Sequence, residues 1–284
     1  MSAATTEAVA ETATHGAEAS GKLDIGGLIM HHITDSHEIE VPFFPSLKIP
    51  LPEIHVGGYD ISITKHVVMM WIATGLLLFV AAWAARRSKD PIPRGWRNAL
   101  EAIIVYIRDE IGRKALGDHI DHYLGYLVTT FFFILFNNLL GLVPGMATAT
   151  GNVGVTAALA GIAFLMIQGS GIREFGVVKH FKHLVPSGLP LWLLPVMIPV
   201  EILGMLAKPF ALCIRLFANM TAGHVVILGL ISLIFILQTA FAALVSVPFT
   251  LFIFVLEILV AFIQAYIFTT LVATFMGMSV HPAH

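Results

Sequence analysis

Charge is what this sequence has least of. Asp, Glu, Lys and Arg make up 12% of the 284 residues, about half the share of a soluble domain, while hydrophobic residues reach 57%. With a mean hydropathy of +0.85, a soluble globular domain is excluded and an integral membrane protein is expected. The single cysteine, Cys213, excludes an internal disulfide. No Gly-x-x-x-x-Gly-Lys-Ser/Thr run occurs, so a phosphate-binding loop is excluded, and nothing points to nucleic acid or to a catalytic centre of covalent chemistry. The first 22 residues lack the basic start and apolar run of a signal peptide. Their Ala, Thr, Glu, Gly and Ser content gives a disordered acidic tail over residues 1–27, followed by one membrane domain over 28–284. His31, His32, His37 and His55 cluster near the start, but neither their spacing nor any cysteine partner makes a metal site.

What is present is long apolar runs. The stretch from Val41 to Pro52 is punctuated by proline and reads as extended. Val67 to Ala85 is then nineteen residues without a charge, enough to cross a hydrocarbon core of about 30 Å, and it stops at Arg86, Arg87 and Lys89. Between Pro93 and Gly117, Trp96, Leu100, Ile103, Ile104, Ile107 and Ile111 recur every three to four positions among arginines and Lys114, which predicts a basic amphipathic helix on the membrane surface. Leu124 to Val143 and Val153 to Gly171 predict a membrane hairpin. From Leu189 to Met278 only Glu201, Lys208, Arg215 and Glu257 carry formal charge. Divided near Gln238, this region gives two helices of about 55 Å, nearly twice the hydrocarbon thickness, so both must tilt steeply. The fold class is therefore all-α, with five crossings and one surface helix. Basic connections at Arg86–Lys114 and Arg173–Lys182 lie on one side, placing the C-terminus in the cytoplasm and the N-terminus outside.

The four charges are not scattered. At about 100° per residue, Glu201, Lys208 and Arg215 share one helix face, with Asn219 one turn further on, and Thr250, Glu257 and Gln264 repeat the seven-residue step on the last helix. His224 falls on the opposite side from Arg215. A guanidinium stays protonated, and at bilayer depth it costs about 2.5–3.5 kcal/mol, so Arg215 marks a function. Plainer readings exist for each group. Glu201 and Lys208 would neutralise each other, Arg215 would pair with Glu257, His224 would be an interior histidine, and Asn219, Gln264 and Thr250 would be interhelical hydrogen-bonding groups.

The run Lys208-Pro-Phe-Ala-Leu-Cys-Ile-Arg-Leu-Phe-Ala-Asn-Met-Thr-Ala-Gly-His224 resembles the signature of subunit a of F-type ATP synthases. Val247-Pro-Phe-Thr-Leu251, Glu257 and Gln264-Ala-Tyr-Ile-Phe268 resemble its final helix, and Asn138-Leu-Leu-Gly-Leu-Val-Pro144, Gly151-Asn-Val-Gly-Val-Thr156 and His31-His32 fit its order. The resemblance implies a non-catalytic stator channel of a bacterial inner membrane, without cofactor. Its implied partners are the rotor ring of c subunits, the peripheral stalk b subunits and lipid. It further implies that Arg215 is the essential arginine facing ring carboxylates, and that Asn219, His224, Glu257 and Gln264 line the outer half-channel and Glu201 the inner one. Leu212 and Leu216, beside Arg215, are then expected to face the ring. Many bacterial members carry the His224 and Glu257 side chains in exchanged positions; the exchange keeps one imidazole and one carboxylate. The transported ion is a proton, with sodium as the alternative. A stand-alone secondary transporter is less favoured because no inverted repeat is visible.

Overall fold

A computed structural model describes residues 27, 38–41, 44–50, 55–56, 59–60, 62–86, 95–143, 146, 148–183 and 194–280. The expected tail over 1–27, apart from Gly27, and His31, His32 and His37 lie outside the described residues. The extended stretch after them pairs with itself. Strand β1 (Glu38–Val41) lies antiparallel to β2 (Phe44–Pro50), with Ile39 opposite Ile49, and β3 (His55–Val56) lies antiparallel to β4 (Tyr59–Asp60). Those short pairings were not legible in the sequence, which gave only the extended backbone.

The body is all-α, with five helices among the described residues long and apolar enough to cross a membrane. Helix α1 (Lys65–Arg86) is the first. Helix α2 (Trp96–Tyr106) continues through a π-helical turn at Ile107–Gly112 and a last turn at Arg113–Leu116. The chain reverses at Gly117, whose φ of 58° suits a residue without a Cβ, and its N–H closes the helix on the Arg113 carbonyl. Helix α3 (Ile120–Gly141) and helix α4 (Val153–Phe175) form the expected hairpin. Helix α4 is started by Asn152, whose Oδ1 accepts from the Gly154 N–H at 2.8 Å. A short basic helix α5 (Val177–His183) follows.

Helices α6 (Leu194–Leu237) and α7 (Ala240–Val280) hold 44 and 41 residues, about 66 and 61 Å at 1.5 Å per residue. The break falls where expected. Gln238 takes a left-handed φ of 46°, its N–H reaches the Ile234 carbonyl at 3.1 Å, and the Thr239 hydroxyl accepts from the Ala242 N–H to start α7.

The amphipathic segment also packs inward at its end. Its π-helical turn puts Ile107 and Ile111 into the core, while Trp96, at its start, is 83% exposed. The segment runs along the end of α7. The Tyr106 ring lies 6.2 Å from that of Tyr266, and the Ala115 carbonyl lies against Gly277. Its charges face outward in exposed pairs, Arg108–Asp121 at 3.0 Å, Arg113–Asp109 at 3.3 Å and Lys114–Glu110, which contribute little to stability. The core joins Leu127 and Ile134 of α3, Leu212 and Leu216 of α6, and Phe268 and Val272 of α7. Outside it, large apolar side chains such as Phe79, Leu165, Phe210 and Phe241 stand more than two-thirds exposed, a surface tolerable only in lipid or against a partner.

Candidate functional site

Helices α6 and α7 run antiparallel, and their seam is where the polar side chains gather. At one end the Lys208 ammonium sits over the Phe275 ring, 5.1 Å from its centre. One turn beyond Arg215 toward the other end, the Asn219 amide donates to Gln264 Oε1 at 2.9 Å. Next, Glu257 lies against Gly223, and at the far end the Ser246 hydroxyl donates to the Leu230 carbonyl. From Lys208 to Leu230 the seam covers 22 residue steps (230 − 208) of α6, about 33 Å, close to a hydrocarbon core's thickness.

Gly223 makes the middle of the seam possible. A Cβ there would lie 1.6 Å from Glu257 Oε1 and 2.7 Å from its carboxyl carbon, so only glycine admits the carboxylate. Glu257 is buried, 6% exposed, and its Oε2 meets no donor among the described residues. The same holds for the buried hydroxyls of Thr221 and Thr250, which find no partner among them. Buried polar atoms in native proteins are satisfied by water when protein does not serve them, so this strip favours hydration.

His224 is the next residue along, one position from the glycine that Glu257 rests on. Its ring leaves the seam for the α3–α4 connection. Nε2 lies 3.0 Å from the Gly141 carbonyl and 3.1 Å from the Thr148 hydroxyl, while Nδ1 lies 3.0 Å from the Met220 carbonyl one turn back. Close by, the Thr150 hydroxyl donates to Asn138 Oδ1 at 2.7 Å, with both residues fully buried.

Arg215 points away from all of this. It is exposed, and among the described residues it makes no ion pair or hydrogen bond. The pairing with Glu257 that would have made it a structural charge is not formed: Glu257 is buried beside Gly223 while Arg215 lies on the uncovered side of α6. Glu201 and Lys208 are also not paired with each other; Glu201 is exposed and Lys208 goes to Phe275. The expectation that Leu212 and Leu216 share the outward face is overturned, because both are at most 1% exposed in the core. The residues that flank Arg215 outside are Ile214 and Ala218.

The structure thus brings together Asn219, Gln264, Glu257 and His224, and leaves Arg215 and Glu201 apart from them. Gly141, Thr148 and Gly223, which touch these side chains, were not among the residues expected at the site. Gly223 carried a signal in its place between a polar turn and His224, but Thr148 is 76 positions from His224 and nothing local joins them.

Comparison with known proteins finds a family match over most of the chain. The family model described as ATP synthase A chain matches residues 67–277. The chain is similar to "ATP synthase subunit a" of Chloroherpeton thalassium, 49% identical over 90% of this chain and 77% of that protein. The protein of the same name from Chlorobium phaeobacteroides is 45% identical over 99% of this chain and 84% of its own. That of Anaeromyxobacter dehalogenans is 46% identical, over 96% and 76% respectively.

Proposed function

The chain belongs to the ATP synthase A chain family, and from that membership we propose that it is the proton-translocating stator subunit of a rotary F-type ATP synthase. In this reading it offers ring carboxylates two offset half-channels with Arg215 between them. The chain carries ions and makes no covalent bond; the chemistry of ATP belongs to the rest of the complex. Its partners are the rotor ring and the peripheral stalk in a bacterial inner membrane. The N-terminus is outside and the C-terminus cytoplasmic, an orientation supported by the basic connections on one side.

The observation that carries the proposal is the division of α6 into two faces. On the covered side, the buried Glu257 and Gln264 and the half-buried His224 make a polar file with unpartnered oxygens, joined at the rim by the exposed Asn219 through its bond to Gln264, and suited to passing protons by way of water. On the uncovered side stands Arg215, without a counter-charge among the described residues. In lipid that charge costs about 2.5–3.5 kcal/mol, so a carboxylate on a passing neighbour is the fitting partner. A proton entering by the outer file neutralises one ring carboxylate, which turns into lipid, and another discharges toward Glu201 on the inner side. The guanidinium favours each carboxylate ionised and, being unable to release a proton, blocks leakage between the paths. Each proton crossing 100 mV supplies about 2.3 kcal/mol, so several must cross per ATP.

Arg215→Ala in the assembled complex tests the reading. ATP-driven acidification of inverted vesicles should be abolished, Arg215→Lys should restore it only in part, and pumping by the parent complex should proceed without added sodium. Near-normal pumping by the alanine complex would overturn it.

A further inference from the structure

We propose that Thr148 is a positioning residue for His224, its hydroxyl selecting which ring nitrogen carries the proton when the imidazole is neutral. The proposal rests on the reading of His224 as a group of the outer path, and it adds a residue outside the two long helices.

The ring faces three protein oxygens, and their chemistry is unequal. The Met220 carbonyl at Nδ1 and the Gly141 carbonyl at Nε2 can only accept, whereas the Thr148 hydroxyl at Nε2 can donate or accept. A protonated ring donates to both carbonyls. A neutral ring has one N–H. With the proton on Nδ1, it donates to Met220 and accepts from Thr148, making two hydrogen bonds against one unfavourable lone-pair contact with Gly141. With the proton on Nε2, it donates toward Gly141, leaves the Nδ1 lone pair against the Met220 carbonyl, and has no use for the threonine as a donor. The hydroxyl therefore favours the Nδ1–H form by one bond. That bond corresponds to a ratio of roughly two- to twelvefold. Because the hydroxyl can turn from donor to acceptor, the same side chain serves the ring before and after it takes up a proton, so the ring need not swing.

The surroundings are built for this contact. Thr148 is 5% exposed, and a Cβ on Gly141 would lie 1.8 Å from its Oγ1, so the glycine leaves room for hydroxyl and carbonyl together. The Thr148 carbonyl accepts from the Gly151 N–H at 2.9 Å, which fixes the turn carrying it. Glu257 of α7 lies against Gly223, the residue before His224. Arg215 lies nine positions back on the opposite face of α6, and Lys65 and His66 open α1.

Nitrogen NMR of histidine-labelled complex in membranes, with His224 assigned by its loss in His224→Gln, reads the tautomer directly. At a pH where the ring is neutral, the parent should show Nδ1–H predominating. Thr148→Val should bring the Nε2–H form to a comparable population, Gly141→Ala should do the same by displacing the threonine, and Thr148→Ser should keep the parent pattern. Predominant Nε2–H in the parent overturns the proposal, and so does an unchanged tautomer in Thr148→Val. The parent measurement needs neither the Thr148 nor the Gly141 variant, so a failure of either of these to assemble leaves the proposal open to refutation. Pumping assays of His224 variants test the outer-path reading separately.

Discussion

Adding one methyl group at Gly223 should disconnect the outer path. The Cβ of Gly223→Ala would fall 1.6 Å from Glu257 Oε1, whereas ordinary contact begins at 3.4 Å, so the carboxylate must retreat by 1.8 Å (3.4 − 1.6) or the helices must part. Parting two packed helices by an inserted methyl costs about 1–3 kcal/mol, so the side chain moves where it can. Proton transfer works over about 2.6–3.2 Å or through one water, and a misplacement of about 1 Å at a reacting group can cost on the order of 10²-fold. A shift of this size should therefore lower ATP-driven acidification of inverted vesicles at least tenfold. Rotor assembly should stay normal, because the methyl points at Glu257 of the same subunit. Glu257→Asp, one methylene shorter, should recover part of the loss when combined with Gly223→Ala and should impair pumping when made alone. Parental pumping by a fully assembled Gly223→Ala complex would refute the reasoning, as would a double variant no better than the worse single one.

Other consequences can be measured in the same complex. His224→Glu should impair pumping by setting two carboxylates beside each other, where like charge disfavours ionising both, and adding Glu257→His should recover a good part of it. Cysteines at Ile214 and Ala218, flanking Arg215 on the uncovered face, should cross-link to a ring subunit under mild oxidation, while cysteines at the buried Leu212 and Leu216 should not; the reverse pattern would place the ring on the wrong side of α6. Asn219→Leu leaves the buried Gln264 Oε1 without its donor, which should cost about 1–3 kcal/mol and appear as a lower unfolding midpoint of the purified subunit in detergent.

Much of this was legible in one dimension. The spans could be read because insertion is governed by summed hydropathy over about 20 residues, and Gln238 could be read as the break because it interrupts the last long apolar run. The seven-residue steps Glu201, Lys208, Arg215 and Thr250, Glu257, Gln264 marked two polar faces from helical periodicity alone. The short strand pairs before α1 and the docking of Ile107 and Ile111 were not visible, since an apolar stripe does not say whether it meets lipid or another helix.

The same limit explains the misplaced leucines. Leu216 is fully buried and Phe210, in the same signature, is 68% exposed, yet both are simply apolar by sequence. The sequence by itself determined how many helices cross, where they end and which residues share a face, because those properties depend on each segment's own composition and pitch. Only the tertiary structure decided that Glu257 rests on Gly223, that His224 turns to Gly141 and Thr148, and that Arg215 is left uncovered. Inside a membrane, lipid tails are as apolar as a leucine, so hydrophobicity cannot choose which face packs inward; close fit and hydrogen bonds between distant segments make that choice.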